Sequence, residues 1–380
     1  MDLGAPSINI SFIEKATDFI ERSERGIEAL FVEDAAVVSK SNPLTIVSES
    51  DIPKELADTT KEQIKLALLG YVTKPKKILV YCIGDLSEAE EDAVSTAYDN
   101  AMKAMEIVKF NYAAFPNVET RNLKDKVKEW VKSMREKKKM IHAVLPNTEA
   151  DSEAVINYAT ANVTKTDSTT KPDGTVETTD TVYTAEQYCG RIASMICGTP
   201  LSMSCTYAEL PELTACKIQE DDSEAVNAGK FVLTNDGEKI KTNRAVNSLL
   251  TLTSEKRDSF KKIKIVEAMD MITDDISKTI QDSYIGKYPN SYANKQVLVT
   301  AILSYFRQLE TDGVVSSYDV DLDVEAIKNY LMTVKGKTVE EIAEMSDDAI
   351  KKADTGSKVF LKANVTILDA IEDVDMQIYI

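Results

Sequence analysis

From Thr59 to Leu145 the chain alternates between two hydrophobic periods, and this alternation constrains the fold more than any other feature. Apolar spacing through Ile64, Ala67 and Leu68 predicts a helix over Thr59 to Gly70, and KILVYCI (Lys77 to Ile83) reads as a buried strand. Ser87 to Val108 is helical again, with Ser87 as N-cap and Glu90 at capping-box distance. Phe110 to Phe115 reads as a strand, Asn122 to Lys138 as a helix and KMIHAVL (Lys139 to Leu145) as a further strand. Strands joined through helices pair in parallel, so the expected core is a doubly wound α/β sheet covered by helices. Pro146 and Asn147 mark the end of the last strand, and Asp151 to Asn157 starts a helix or a turn.

Further along, residues 160–184 are rich in threonine and carry the turn KPDGT, which predicts a polar hairpin standing out from the sheet. Ala185 to Ile196 has helical spacing, and Phe231 to Leu233 and Lys239 to Lys241 flank NDGE, a short hairpin signal. From Ser254 the style changes to long helices. Phe260, Ile263, Val266, Met269, Ile272, Ile276, Ile280 and Tyr284 share one stripe that ends at Gly286, predicting a helix of roughly 30 residues. Helices also follow at Asn294 to Leu309, closing at Gly313, and at Thr338 to Asp354, whose acidic start and basic end suit the helix dipole. The expected organisation is an arm and linker over 1–25, an α/β core over 26–250 and an α+β C-terminal domain over 251–380.

Both ends of the chain look like strands. Ser7 to Ile13 is built around Ile8, Ile10 and Phe12; at the other end, Lys358 to Leu368 is followed by Asp375 to Ile380 with Met376, Ile378 and Ile380. A strand without a local hairpin mate pairs with a remote strand of its own chain or with a sheet edge on another molecule. The residues alone leave both open.

Composition narrows the function. With 63 acidic against 45 basic residues the net charge is -18, which opposes a phosphate-backbone partner, so no nucleic acid is expected. The longest apolar runs fall far short of the roughly 20 residues that span a bilayer, and no signal-like start opens the sequence, so no membrane insertion is expected. Five cysteines without a CxxC pair read as reduced, buried thiols, and no familiar zinc set, P-loop, GxGxxG or GxSxG is present; no metal or cofactor is expected. Catalysis would fall to the single histidine, His142, as general base with Ser194, Ser202 or Ser204 as nucleophile. Its place within a strand favours packing, and the expectation is a protein that is not an enzyme.

Several segments together resemble contractile tail sheath proteins, in particular the compact sheaths of Gram-positive myophages, PBSX-like prophages and R-type bacteriocins. They are GAPSINISF with ERSERGIEALFVED, AVLPNTEADSEAVINY, AEQYCGRIASMICGTPLSMSCTY, GKFVLTNDGEKIKTNRAVNSLLTL and IKIVEAMDMITDDISKTIQDSYIGKYPN with ILSYFRQLETDGVV. Their order and spacing carry the likeness over nearly the whole chain. The resemblance implies a subtilisin-like core without protease activity and a C-terminal domain with extended terminal arms. It also implies a subunit that forms hexameric rings stacked helically around an inner tail tube protein, meets baseplate and tail terminator proteins, and contracts to drive the tube through a bacterial envelope. On this reading Ile8, Ile10, Phe12, Met376, Ile378 and Ile380 are exchanged between neighbours, Val359, Leu361, Val365 and Ile367 form the acceptor strand, and Ser23, Gly26 and Asp373 act as hinges. It would assemble in the bacterial host cytoplasm and end in the released phage tail or bacteriocin particle. The competing expectations are a subtilisin-like hydrolase using His142 and a non-contractile homo-oligomeric binding protein.

Overall fold

The structure, a computed structural model, describes residues 20, 22–36, 42–171, 173 and 175–380. Ile8, Ile10 and Phe12 lie outside the described residues. The described residues separate into two compact units, one of residues 23–274 with 367–380 and one of residues 275–366 with Ile20 and Arg22.

The larger unit contains strands β1 (Ile27–Val32), β2 (Leu44–Ile46), β3 (Lys77–Cys82), β4 (Tyr112–Ala114), β5 (His142–Pro146) and β6 (Val155–Tyr158). These are followed by a hairpin of β7 (Val163–Thr170) and β8 (Val176–Tyr183), by β9 (Lys230–Phe231), and by β10 (Leu233–Asn235) with β11 (Ile240–Thr242). Seven of them form one sheet in the order β2-β3-β1-β4-β5-β6-β9, parallel throughout except where β2 runs against β3. Helices α1 (Asp58–Ala67), α2 (Glu91–Met105), α3 (Lys124–Glu136) and α4 (Ala185–Cys197) cover it, and α5 (Asp222–Asn227) precedes β9.

A sheet buried on both faces needs strands that are apolar on both sides, and IEALFV in β1 is buried at every position. Leu30 and Val32 join Ile78, Val80 and Ile156 under α1 and α4, whereas Ile27, Ala29 and Phe31 join Leu79, Ala113 and Ala143 under α2 and α3. Two cores on opposite faces make the sheet doubly wound, as the alternation predicts. Phe31 stacks on Phe115 at 4.2 Å and meets Trp130 edge-on at 6.0 Å, which fixes α3 over the second core.

The structure decides several local expectations. Of the helix or turn expected at Asp151 to Asn157 it has the turn, at residues 153–154, which leads directly into β6, four buried residues too short to show any period. Helix α2 begins after Glu90 and not after Ser87, whose hydroxyl and backbone N–H both donate to Asp85 instead (2.7 and 3.0 Å). The 160–184 hairpin forms as β7 and β8, and NDGE turns the chain between β10 and β11. The expected helix over 338–354 is two short ones, α9 (Val339–Ala343) and α10 (Asp347–Lys352), because Ser346 caps a new helix through the N–H of Ala349 at 3.3 Å.

In the smaller unit, α7 (Tyr292–Thr311) packs on β12 (Val315–Leu322), and α8 (Val324–Thr333) leads to α9 and α10 before β13 (Leu361–Ile367). Helix α6 (Ile263–Thr279) carries the apolar stripe from Ile263 on, widens to a π-type turn at Ile280–Tyr284 and stops at Gly286, whose φ of +75° suits glycine; Phe260 falls in a separate 3-10 turn, Asp258–Lys261, so the helix is shorter than the roughly 30 residues expected. The change of sequence style falls at 245–255, whereas the compact units divide inside α6, between Asp274 and Asp275.

Candidate assembly site

Strands β12 and β13 form a two-stranded sheet of their own. The Ser317 hydroxyl meets that of Thr366 at 2.9 Å, while the Asp323 N–H donates to the Phe360 carbonyl at 3.0 Å, so the strands run in opposite directions. Helix α7 covers β12, whose Val315, Val320 and Leu322 are buried. Among the described residues no strand pairs with the outer edge of β13, and Leu361, Val365 and Ile367 remain only half-buried, with Val359 40% exposed. A two-stranded sheet with an open edge is marginal in water and is a template for a further strand. Beside it lies a cleft of about 430 Å³ with an apolar lining that includes Ile285, Leu298, Val359 and Leu361.

The tail after β13 is the complement of such an edge. Val374, Met376 and Ile378 are 77%, 75% and 73% exposed, and Ile380 is fully exposed. The run Asp375 to Ile380 has strand-like alternation, yet it pairs with no strand among the described residues.

Just before it, the tail is held. The Glu372 carboxylate accepts from the Thr206 hydroxyl at 2.6 Å and the Ser204 hydroxyl at 3.3 Å, and Lys262 Nζ stands 3.3 Å from its other oxygen. Lys262 also pairs with Asp369, and Arg244 with Asp373. Asp373, the expected hinge, keeps an exposed side chain and pairs with Arg244. Gly26 opens β1 with its carbonyl accepting from the Lys76 N–H at 2.8 Å and a φ of +73°, and Ser23 stands at the start of the larger unit.

In doubly wound sheets, ligands sit beyond the strand ends where the strand order reverses, here between β1 and β4. That position is filled by side chains. Glu33 receives Arg121 through Nε at 2.8 Å and a terminal nitrogen at 2.6 Å, and the Tyr98 hydroxyl at 2.9 Å. Next to it, Asp34 accepts from the N–H groups of Ala36 and Ala57 at 2.9 and 2.8 Å. Among the described residues no cluster of His, Cys, Asp or Glu is placed to hold a metal.

His142 is the first residue of β5, at the opposite, amino edge of the sheet, and not in mid-strand. It is buried and stacks on Tyr112 at 4.8 Å, and its Nε2 lies 2.9 Å from Asp270. Burial would raise the Asp270 pKa, but His142 and a two-point contact from Arg135 (2.6 and 2.9 Å) outweigh it and hold it at about 2. The three serines lie elsewhere: the Ser194 hydroxyl donates to the Arg191 carbonyl within α4, Ser202 is exposed, and Ser204 belongs to the tail contacts. The arrangement around His142 is that of a buried ion-pair network.

The fold and these contacts define an α/β body with a filled ligand crevice, an open two-stranded sheet and an exposed strand-like tail. Comparison with known proteins says which family has this form. Residues 91–248 match the phage tail sheath protein central domain and residues 255–380 the phage tail sheath C-terminal domain. The tail sheath protein of Clostridium phage phiCD119 is 35% identical, over 99% of both chains. Among solved structures, the sheath tail protein of Desulfitobacterium hafniense superposes with a TM-score of 0.67 at 18% identity, covering 84% of this chain and 94% of that one. The helical sheath of the anti-feeding prophage in its contracted state gives 0.63 at 13% identity over 99% of both. The chain belongs to the phage tail sheath family.

Proposed function

We propose that this protein is the subunit of a contractile sheath: it polymerises helically, as stacked hexameric rings, around an inner tube and contracts to drive that tube through a bacterial envelope. Full-length kinship with a phage tail sheath protein is the observation that carries this reading. The likeness in fold to a sheath described as helical and contracted supports it. The parallel body corresponds to the subtilisin-like core, residues 26–250, with the C-terminal domain beyond it and baseplate, tail terminator and tube proteins as partners. Assembly takes place in the host cytoplasm and the product is the released tail or bacteriocin particle.

Neighbours are linked by exchanged strands. Met376, Ile378 and Ile380 of one copy lie along the open edge of β13 in another, over Val359, Leu361, Val365 and Ile367, and the N-terminal run around Ile8, Ile10 and Phe12 does likewise. The 14–25 linker, with Ser23 and Gly26, takes up the change of angle. About five ladder bonds at a net ~0.5 to 1.5 kcal/mol each, with ~1.5 to 3 for each buried apolar side chain, give on the order of 10 kcal/mol per arm before ordering costs. That keeps copies tied while their bodies move.

Negative-stain microscopy of the purified chain tests this. Hollow tubes are the expected outcome, and a chain lacking residues 375–380 should stay folded and fail to form them. Normal tubes from the shortened chain would overturn the arm exchange, and dispersed particles from the full chain even with its tube protein co-expressed would overturn the sheath reading.

A further inference from the structure

We propose that residues 369–373 form a charge-specific anchor that fixes the point where the C-terminal arm leaves the body, with Glu372 as its central positioning residue. The proposal deepens the arm-exchange reading and rests on it only for the purpose the anchor serves.

Burial along the tail inverts the usual rule. Ile371 is 90% exposed and Val374 77%, whereas the Glu372 side chain between them is 5% exposed. A chain that merely collapsed its tail onto the body would hide the isoleucine and leave the carboxylate in water. Burying the carboxylate instead requires a receiver built for it, and one is present.

Its receiver comes from three separated stretches of the larger unit, at residues 204–206, 244 and 262. Ser204 and Thr206 supply hydroxyls to one carboxylate oxygen, and Thr206 is itself set in place by accepting the N–H of Ala245 at 3.0 Å. Lys262, at the start of α6, faces the other oxygen at 3.3 Å, with Arg244 Nε at 3.9 Å. The same two cations hold the flanking acids, Lys262 with Asp369 and Arg244 with Asp373. Burial would lower the Lys262 pKa, yet Asp369 and Glu372 raise it on balance, so its charge is secured. Three acids on a five-residue stretch therefore face two cations and two hydroxyls, with one Glu372 oxygen hydrogen-bonded and the other held by charge alone among the described residues. Residues 369–373, where Asp373 is expected as a hinge, are a clamp in the fold, and the exchangeable arm begins after them, at Val374.

Backbone nitrogen-15 NMR relaxation on the dilute, unassembled full chain tests the anchor directly. Glu372→Ala should lower the heteronuclear NOE over residues 369–373 to the values of residues 374–380 while the melting temperature of the body stays the same, and Thr206→Val should lower it less. A charge swap, Arg244→Asp with Asp373→Arg, should restore more order than Arg244→Asp alone. Tube formation should fall with Glu372→Ala and with Arg244→Asp, and should return for the latter with the swap. The chain lacking residues 375–380 separates the two readings: it should keep residues 369–373 ordered even though it forms no tubes. Loss of order in that chain, or an unchanged NOE in Glu372→Ala, would overturn the anchor whatever becomes of the arm exchange.

Discussion

Glu28 is the least comfortable residue in the sheet. It is fully buried in β1, and among the described residues neither carboxylate oxygen has a hydrogen-bond partner. Desolvation pushes its pKa well up against a smaller pull from Arg191, whose own guanidinium is engaged by Glu212 at 2.6 Å and the Gly70 carbonyl at 2.7 Å. A carboxyl raised in the folded state adds stability that is complete below its unfolded pKa and is lost as pH rises towards the folded one. Glu28→Gln should therefore be more stable than the unsubstituted chain at pH 8, by roughly 1 kcal/mol or more, with the gap closing below pH ~4.5 in urea melts. Asp270 behaves in the opposite sense. Its pKa is depressed to about 2, so its contribution is present above its unfolded value and disappears as pH falls through the folded one. Asp270→Asn should cost about 3 to 5 kcal/mol at pH 7, because His142 and Arg135 lose their common buried partner, and should flatten the acid limb of the stability profile. Neither behaviour is legible in the sequence. IEALFV shows a glutamate in an apolar run but not that both faces of that run are buried, and the sole histidine shows nothing of an aspartate 128 positions away.

At the level of elements, apolar stripes and fully buried runs located their elements, whereas helix ends and breaks, as at Ser87, Phe260 and Ser346, did not show in the sequence. The stripe from Ile263 to Tyr284 and the runs KILVYCI and KMIHAVL locate α6, β3 and β5, because an apolar stripe or a fully buried run survives in the order of residues alone. VINY in β6 is too short to have a period, and SSYDVDL in β12 is half polar because only one of its faces meets α7. Ser87 with Glu90 fits a capping box, but a nearer acceptor, Asp85, takes the hydroxyl. The tail illustrates both outcomes: alternation at 374–380 is visible in the letters, whereas the clamp that precedes it depends on Arg244 and Lys262 from remote elements. Since Met376 and Ile378 project into water, Met376→Lys with Ile378→Lys should change the stability of the isolated chain by less than about 0.5 kcal/mol. The same pair should abolish tubes in the microscope, and tubes that persist would remove the arm from the assembly mechanism.

For the whole molecule, charge and reach set the terms of association. Copies that each carry a net charge of -18 repel at long range, and salt screens that repulsion over about 10 Å at 0.1 M. Tube growth followed by light scattering should accelerate as ionic strength rises from low salt towards physiological values, and growth that slows throughout this range would show attraction between charged faces to be the larger effect. The clamp at Glu372 has a mechanical meaning as well. On the proposed exchange only Val374 and Asp375 lie between the clamp and Met376, the first docked side chain, and an extended chain spans about 3.3 to 3.6 Å per residue, so the free leash is roughly 10 Å long. If the arms are exchanged in this way, a stroke has to fit within that short radius, and residues inserted after Asp373 would retune how far one ring can travel before it pulls the next.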